Sequence, residues 1–270
     1  MPEPTCAICG DTPGWRETTD ARGRRALARC ACWAARQTDQ RLIDAGIPAE
    51  YRRCTLEALI DYGNEKLQNA IRHSARFVDQ FPVVHKGLCI TGPPGIGKTH
   101  LAVAILRAAI LTRGAVGRFY DVRDLLKTIR STYNPESKTA EVHVLDPAKT
   151  ADLVVFDDLG AEKPSDWVRE TLEHIINDRY VNKRATLITS NYQDGDATDD
   201  LETLLVRVGF RLHSRLHGMC EFIEFDGPDT RKLGTPHPDP LDFQLAWQRA
   251  KLTRRRLAPP VPLPERPPRW

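Results

Sequence analysis

The stretch Gly92-Pro93-Pro94-Gly95-Ile96-Gly97-Lys98-Thr99 fits the spacing G-x-x-x-x-G-K-[ST] at every required position. It follows an apolar run, Leu88-Cys89-Ile90, and opens a strongly apolar helical segment, the setting a phosphate-binding loop requires. Glycines let the backbone wrap close around an anion, so that its amides and the helix N-terminus face the phosphates. Lys98 is expected to reach the β- and γ-phosphates and the Thr99 hydroxyl to hold Mg²⁺, with His100 completing the nucleotide-binding stretch. A plain Gly-Pro turn is the bland alternative, and the strand before and helix after argue against it. A second run, Leu153-Val154-Val155-Phe156-Asp157-Asp158, is an apolar strand ending in two acids. Ligands of open parallel sheets bind at that end of the strands. Asp157 is expected to hold Mg²⁺ through water, and Asp158 to orient or deprotonate the attacking water. ATP is the expected nucleotide, because Asn182-Lys183-Arg184-Ala185 lacks the final acid of the guanine-reading Asn-Lys-x-Asp.

Four of the seven cysteines lie in the first 32 residues, as Cys6-x2-Cys9 and Cys30-x-Cys32. They supply enough thiolates for a closed tetrahedral Zn²⁺ site. The polar, Arg-rich stretch between them has little apolar surface on which to fold, and zinc can supply about 10 kcal/mol or more of folding free energy. A closed site leaves no open coordination position, so a structural metal is expected; four free thiols are the alternative. Cys54, Cys89 and Cys220 have no ligand spacing and read as core or incidental residues.

These groups must be positioned by an alternation of strands and helices. A helix-compatible run covers Trp33 to Ala45, and Asn64 to Phe81 reads as a helix with Leu67, Ala70, Ile71, Ser74, Phe77 and Val78 on one face. Gly87–Thr91, Arg118–Asp121, Leu153–Asp157, Ala185–Ser190 and Glu221–Phe225 read as strands, and Lys98–Thr112 and Asp166–Tyr180 as helices. That order predicts an α/β fold with a parallel sheet between helices. Three regions are expected: a zinc-binding module over 1–60, a nucleotide-binding domain over 61–235, and a proline- and arginine-rich, mostly disordered tail over 236–270. The last 35 residues hold nine of the 20 prolines, although Leu241 to Arg256 could form a brief helix.

At 270 residues, 41% hydrophobic and 28% charged, the chain has core enough to need no disulfide scaffold. No apolar run approaches the ~20 residues of a membrane span, and no signal-peptide pattern opens the sequence. A cytoplasmic protein with reduced thiols and no membrane partner is therefore expected. The formal charge of +3 is too small to imply nucleic-acid binding by itself. Arg123, Lys127, Arg130, Lys138 and Lys149 offer contacts to single-stranded DNA, balanced by Asp121, Asp124, Glu136, Glu141 and Asp146. Phe119 and Tyr133 are the candidate stacking groups there.

Thr186-Leu187-Ile188-Thr189-Ser190-Asn191, a strand ending in Asn, resembles the sensor-1 strand of AAA+ ATPases. The resemblance implies that Asn191 helps position water between the γ-phosphate and the acids. Arg211-Leu212-His213-Ser214-Arg215-Leu216 resembles the segment carrying the AAA+ arginine finger, which implies that Arg215 projects into a neighbouring subunit's ATP site. Asp226-Gly227-Pro228-Asp229-Thr230-Arg231 resembles the sensor-2 region, which implies that Arg231 touches the γ-phosphate in cis. Within that class, Asp157-Asp158-Leu159-Gly160-Ala161-Glu162, then Trp167 and Asn177-Asp178-Arg179-Tyr180, is similar to helicase loaders of the DnaC/DnaI type and to their relatives, the IstB transposition ATPases. The opening Cys6-Ala7-Ile8-Cys9-Gly10-Asp11, Cys30-Ala31-Cys32 and Gly46-Ile47-Pro48-Ala49-Glu50-Tyr51-Arg52 agree with the loaders.

The resemblance covers residues 1–235. It implies an AAA+ P-loop ATPase with slow, switch-like hydrolysis and no long helical lid after Arg231. It also implies a zinc module that binds a hexameric replicative DNA helicase, contact with single-stranded DNA at replication initiation, and self-association through Arg215 on the helicase. Asp158 stands where most AAA+ motors have Glu, a shorter reach that suits a slow switch and that loaders share. Two other readings stay open: an IstB-like ATPase assisting a transposase, and a nucleotide-gated adaptor with little hydrolysis.

Overall fold

The computed structural model describes residues 6–10, 14–19, 23–132, 138–195, 203–234 and 239–257. Its elements in chain order are β1 (Trp15–Thr19), β2 (Arg25–Arg29), α1 (Ala31–Asp44), α2 (Glu65–Gln80), β3 (Gly87–Thr91), α3 (Lys98–Arg113), β4 (Gly117–Asp121), α4 (Val122–Ser131) and α5 (Lys138–Thr150). They continue with β5 (Leu153–Asp157), α6 (Asp166–Val181), β6 (Ala185–Ser190), α7 (Leu204–Val208), α8 (Phe210–Met219), β7 (Cys220–Glu224) and α9 (Pro240–Leu257). The five strands expected for the sheet are present within two residues of their sequence bounds.

Strands β3 to β7 form one sheet in the order β4-β5-β6-β3-β7, with every neighbouring pair parallel. Parallel strands covered on both faces read as unbroken apolar runs, because successive side chains enter opposite layers. In β5, Leu153 and Val155 pack with α2 and α3, whereas Val154 and Phe156 pack with α4, α6 and α8. Caps fix where the helices begin. The Asn64 carboxamide accepts from the backbone amides of Lys66 and Leu67 to start α2, and its Nδ2 donates to the Asp226 carbonyl at 2.6 Å. Asp121 caps α4 and Ser165 caps α6 in the same way.

The polar stretch between the cysteine pairs is an antiparallel hairpin of β1 and β2, with Trp15 facing Arg29. Its side chains are mostly exposed. The Arg29 guanidinium lies 3.9 Å from the Trp15 ring centroid and 4.4 Å from that of Trp33, a small cation–aromatic stack in place of an apolar core. Helix α1 then leads the chain to the sheet. The Arg41 guanidinium donates to the Gly114 carbonyl, the Phe119 amide donates to the Ala45 carbonyl at 2.7 Å, and Ala45, Ile47 and Cys54 are buried in the α2–α3 layer.

The tail holds the brief helix allowed for Leu241 to Arg256 over half its length. Pro240–Leu257 is helical, and Phe243 is 1% exposed with its ring stacked on Tyr62 at 4.2 Å. An aromatic anchor outweighs the local proline content here, while residues 258–270 lie outside the described residues.

Candidate nucleotide site and cysteine cluster

Glycine geometry shapes the loop between β3 and α3. Gly95 has φ +77°, and a Cβ there would stand 1.7 Å from Asp229 Oδ1, so only glycine fits between the loop and the segment after β7. Thr230 clamps the same residue, its amide and hydroxyl both donating to the Gly95 carbonyl at 3.0 and 2.7 Å. Arg231 pairs with Asp229 through two hydrogen bonds of 2.9 and 3.1 Å. The pairing lowers the Asp229 carboxyl and raises the Arg231 guanidinium, each partner being the other's chief cause. Arg231 therefore stands at the rim of the loop, held there by Asp229.

At the end of β6 and β5 the polar groups converge. Lys98 Nζ donates to the carbonyls of Gly92 and Pro93 at 2.9 and 2.8 Å, and to Asn191 Oδ1 at 2.7 Å. Asn191 Nδ2 donates to Asp158 Oδ1 at 2.5 Å. The Thr99 hydroxyl donates to Asp157 at 2.9 Å and Thr189 donates to the same carboxylate at 2.6 Å. Asp158 takes a left-handed backbone, φ +60°, held by its amide donating to Thr189 Oγ1 at 2.9 Å. Asp is among the few residues that enter that region readily, so the local backbone itself favours Asp over a longer acid. The structure thus brings together Lys98, Thr99, Asp157, Asp158 and Asn191. His100 turns its ring to the Thr55 carbonyl at 3.2 Å, on the segment that overlies the loop. Arg215 lies on α8, its Nε donating to Asn177 Oδ1 at 2.8 Å.

Several contributors escape the sequence reading. Thr189 looks like an ordinary strand residue until β6 is known to lie beside β5. Arg123 Nη2 donates to Asp158 Oδ2 at 3.1 Å, so this residue, read as a DNA contact, sits at the second acid. Lys149 meets His174 of α6 at 2.6 Å. Phe119 is buried in the core and offers no stacking face, and Tyr133 lies outside the described residues. What the α4 and α6 faces do enclose is a groove of about 540 Å³, its lining largely apolar but including Arg123, Lys127, Arg130, Lys163 and the acidic Glu162, with Arg130 stacked 4.4 Å over the Trp167 ring.

Burial brings the Lys98 amine down to about 8, despite the opposing pull of Asp158 and Asp157. Burial also raises the Asp157 carboxyl, against the hydroxyls of Thr189 and Thr99. Phosphate binds the protonated amine. Above pH 8, ATP binding is therefore expected to take up a proton, and affinity to fall by up to about tenfold per pH unit until the phosphate-bound lysine itself titrates. Titration calorimetry in buffers of different ionisation enthalpy measures this, and an affinity unchanged between pH 7 and 9.5 would contradict it.

The second cluster lies in the N-terminal module. The sulfur atoms of Cys6, Cys9, Cys30 and Cys32 all lie within 4.8 Å of one another, with Cys6–Cys30 at 3.9 Å and Cys9–Cys32 at 3.4 Å. The backbone amides of Cys9 and Ile8 point at Cys6 and bring its thiol down to about 6. Crowding by the other sulfurs, first through the hydrogen bond to Cys9, pushes Cys32 up to about 12. Four sulfurs this close ionise together only around a cation, so the donor set fits tetrahedral zinc.

A phosphate loop, paired acids, a strand ending in Asn and a five-stranded parallel sheet between helices define an AAA+ P-loop ATPase. A family model for "IstB-like ATP binding protein" matches residues 54–231, and the chain belongs to that family. It is 27% identical over 152 residues to the replicative helicase loader DnaC of Escherichia coli K12, a match that covers 56% of this chain and 58% of that protein. The DnaC of Buchnera aphidicola (subsp. Baizongia pistaciae) is 28% identical over 190 residues, 70% of this chain and 73% of the relative. A crystal structure of the DnaC helicase loader superposes with TM-score 0.56 and 32% identity, covering 66% of this chain and all of that one. Among the described residues no helix is long and apolar enough to cross a membrane.

Proposed function

We propose that the chain is an ATP-dependent loader of a hexameric replicative DNA helicase, acting in the cytoplasm at the initiation of DNA replication. The observation that carries this reading is the pairing of a four-cysteine module with an ATPase domain similar to DnaC. In this reading Cys6, Cys9, Cys30 and Cys32 hold a structural zinc ion, and the module they brace docks on the helicase. Thr99 and Asp157 hold Mg²⁺; their hydroxyl and carboxylate oxygens are the hard donors that ion prefers. The Gly92–Thr99 amides and Lys98 bind the ATP phosphates, and Asn191 and Asp158 orient the attacking water. Arg231 reads the γ-phosphate in cis. Arg215 acts on the ATP of a neighbouring subunit when the chains assemble on the helicase. The groove between α4 and α6 takes single-stranded DNA, with Lys127, Arg130 and Lys163 along the backbone path. The family match also supports an IstB-like reading, in which the partner is a transposase.

One experiment separates these. Immobilised full-length protein is incubated with lysate of the source organism with and without ATP, and retained proteins are identified by mass spectrometry. Retention of the replicative helicase supports loading, and retention of a transposase in its place overturns it. On the helicase complex, Arg215→Ala is expected to lower ATP turnover by about 10³-fold while ATP binding persists. Mixing it with Lys98→Ala is expected to restore part of that turnover, because each variant supplies what the other lacks. Failure of the mixture to exceed either variant alone would place Arg215 outside the neighbour's site.

A further inference from the structure

Away from the nucleotide, two histidines and an aspartate meet at one point. His213 and His217 stand four residues apart on α8 and so share a face of the helix. Asp194 comes from the loop after β6. His213 Nε2 lies 2.8 Å and His217 Nε2 3.1 Å from the same oxygen, Asp194 Oδ1, and the three donor atoms lie within 4.8 Å of one another. In a tetrahedral zinc site with bonds of about 2.0–2.1 Å, neighbouring ligand atoms stand roughly 3.3 Å apart. The two histidine–carboxylate separations lie within about half an ångström of that value, and the third pair of donor atoms lies within 4.8 Å. A histidine pair at i and i+4 on one helix is a recurrent metal-binding spacing, and imidazole with carboxylate suits zinc and its first-row neighbours.

The rings are also fixed in place. His213 is 6% exposed, and the two imidazoles meet edge to face at 4.7 Å. The His217 ring stacks on Phe222 at 4.2 Å with its plane only 14° away. Ligands already ordered by packing lose little freedom on binding. Asp194 and His217 face solvent, leaving an entry path and room for a water ligand.

We propose that Asp194, His213 and His217 form a second metal site, for a divalent transition cation of the zinc class, distinct from the cysteine cluster. Asp194 lies three residues beyond Asn191, and Arg215 lies between the two histidines. The ion would pin the end of β6, which carries one nucleotide-site residue, to the helix that carries Arg215. The site itself stands whether or not the loader reading does.

Cobalt(II) separates the two sites by colour. Titrating the full-length apo-protein, one equivalent is expected to show intense thiolate-to-metal charge transfer. A second should show only the weak visible bands of nitrogen and oxygen ligands. His217→Ala and Asp194→Asn are expected to abolish the second equivalent and leave the first intact. His217 is half exposed, and retained ATP binding and circular dichroism show that the variant folds. The proposal is overturned if no equivalent without sulfur charge transfer binds, or if that equivalent survives in His217→Ala.

Discussion

Exchanging Cys30 for serine is expected to remove one zinc equivalent and to unfold the N-terminal hairpin while leaving ATP binding intact. The reason is how little else holds β1 and β2. Apart from Cys9 and Cys30 their neighbourhood buries almost no apolar side chain, and the Trp15–Arg29–Trp33 stack contributes on the order of 1–2 kcal/mol. Ordering a chain costs about 1–2 kcal/mol per residue, so the hairpin needs the ~10 kcal/mol or more that a structural zinc supplies. The phosphate loop belongs to a separate core and should not notice. Metal analysis, tryptophan fluorescence and proteolysis between residues 14 and 29 read the loss, and helicase capture should vanish with it. A hairpin that keeps its hydrogen-exchange protection in the variant would show that the thiolates are dispensable.

Arg179→Leu is expected to destabilise the folded chain by about 3–5 kcal/mol, lowering the melting temperature by roughly 6–20 °C. The guanidinium is fully buried, and among the described residues no carboxylate is hydrogen-bonded to it. Instead it donates to the Thr186 hydroxyl at 3.0 Å and to the carbonyls of Ala148, Lys149, Ala151 and Ala185 at 2.5–3.1 Å. These acceptors end α5 and begin β5 and β6, so one side chain ties together the bases of the strands that carry Asp157 and Asn191. Leucine would take this donor from the buried carbonyls of Ala148, Ala151 and Ala185, whereas that of Lys149 keeps Arg184. Lysine has three donors on a single atom and cannot span them, so Arg179→Lys should rescue less than half of the loss. Calorimetry decides it: a shift under about 2 °C for Arg179→Leu would mean that water replaces the guanidinium at little cost.

The phosphate loop, the acid pair and all five strands were legible in the sequence because each depends on spacing within a dozen residues. What was not legible depends on which strands become neighbours. Thr189 supports Asp157 only because β6 lies beside β5, and Arg123 reaches Asp158 from the helix after β4. Asp194 meets His213 and His217 across 19 and 23 residues that include a helix, a separation no local pattern reports. The hairpin escaped for another reason: β1 and β2 read as polar, and clustered cysteines and stacked aromatics stand where a core would be. Helix α9 was read mainly as proline-rich tail because its anchor, Phe243 on Tyr62, pairs the tail with the start of the ATPase domain, 181 residues earlier.

The place of β3 in the sheet also governs the order in which a nascent chain can become a working protein. β3 pairs with β6 on one side and with β7 on the other, and β7 leads directly into the residues that clamp the phosphate loop. Thr230 lies 135 residues beyond Gly95. At a synthesis rate of about 5–20 residues per second, the ribosome needs roughly 7–27 s to make that stretch. For most of that interval, until β6 is made, both edges of β3 lack their strands, and one stays open until β7 follows. Nucleotide cannot guide the early steps of folding, because the clamp on its binding loop arrives only after the last strand has been made.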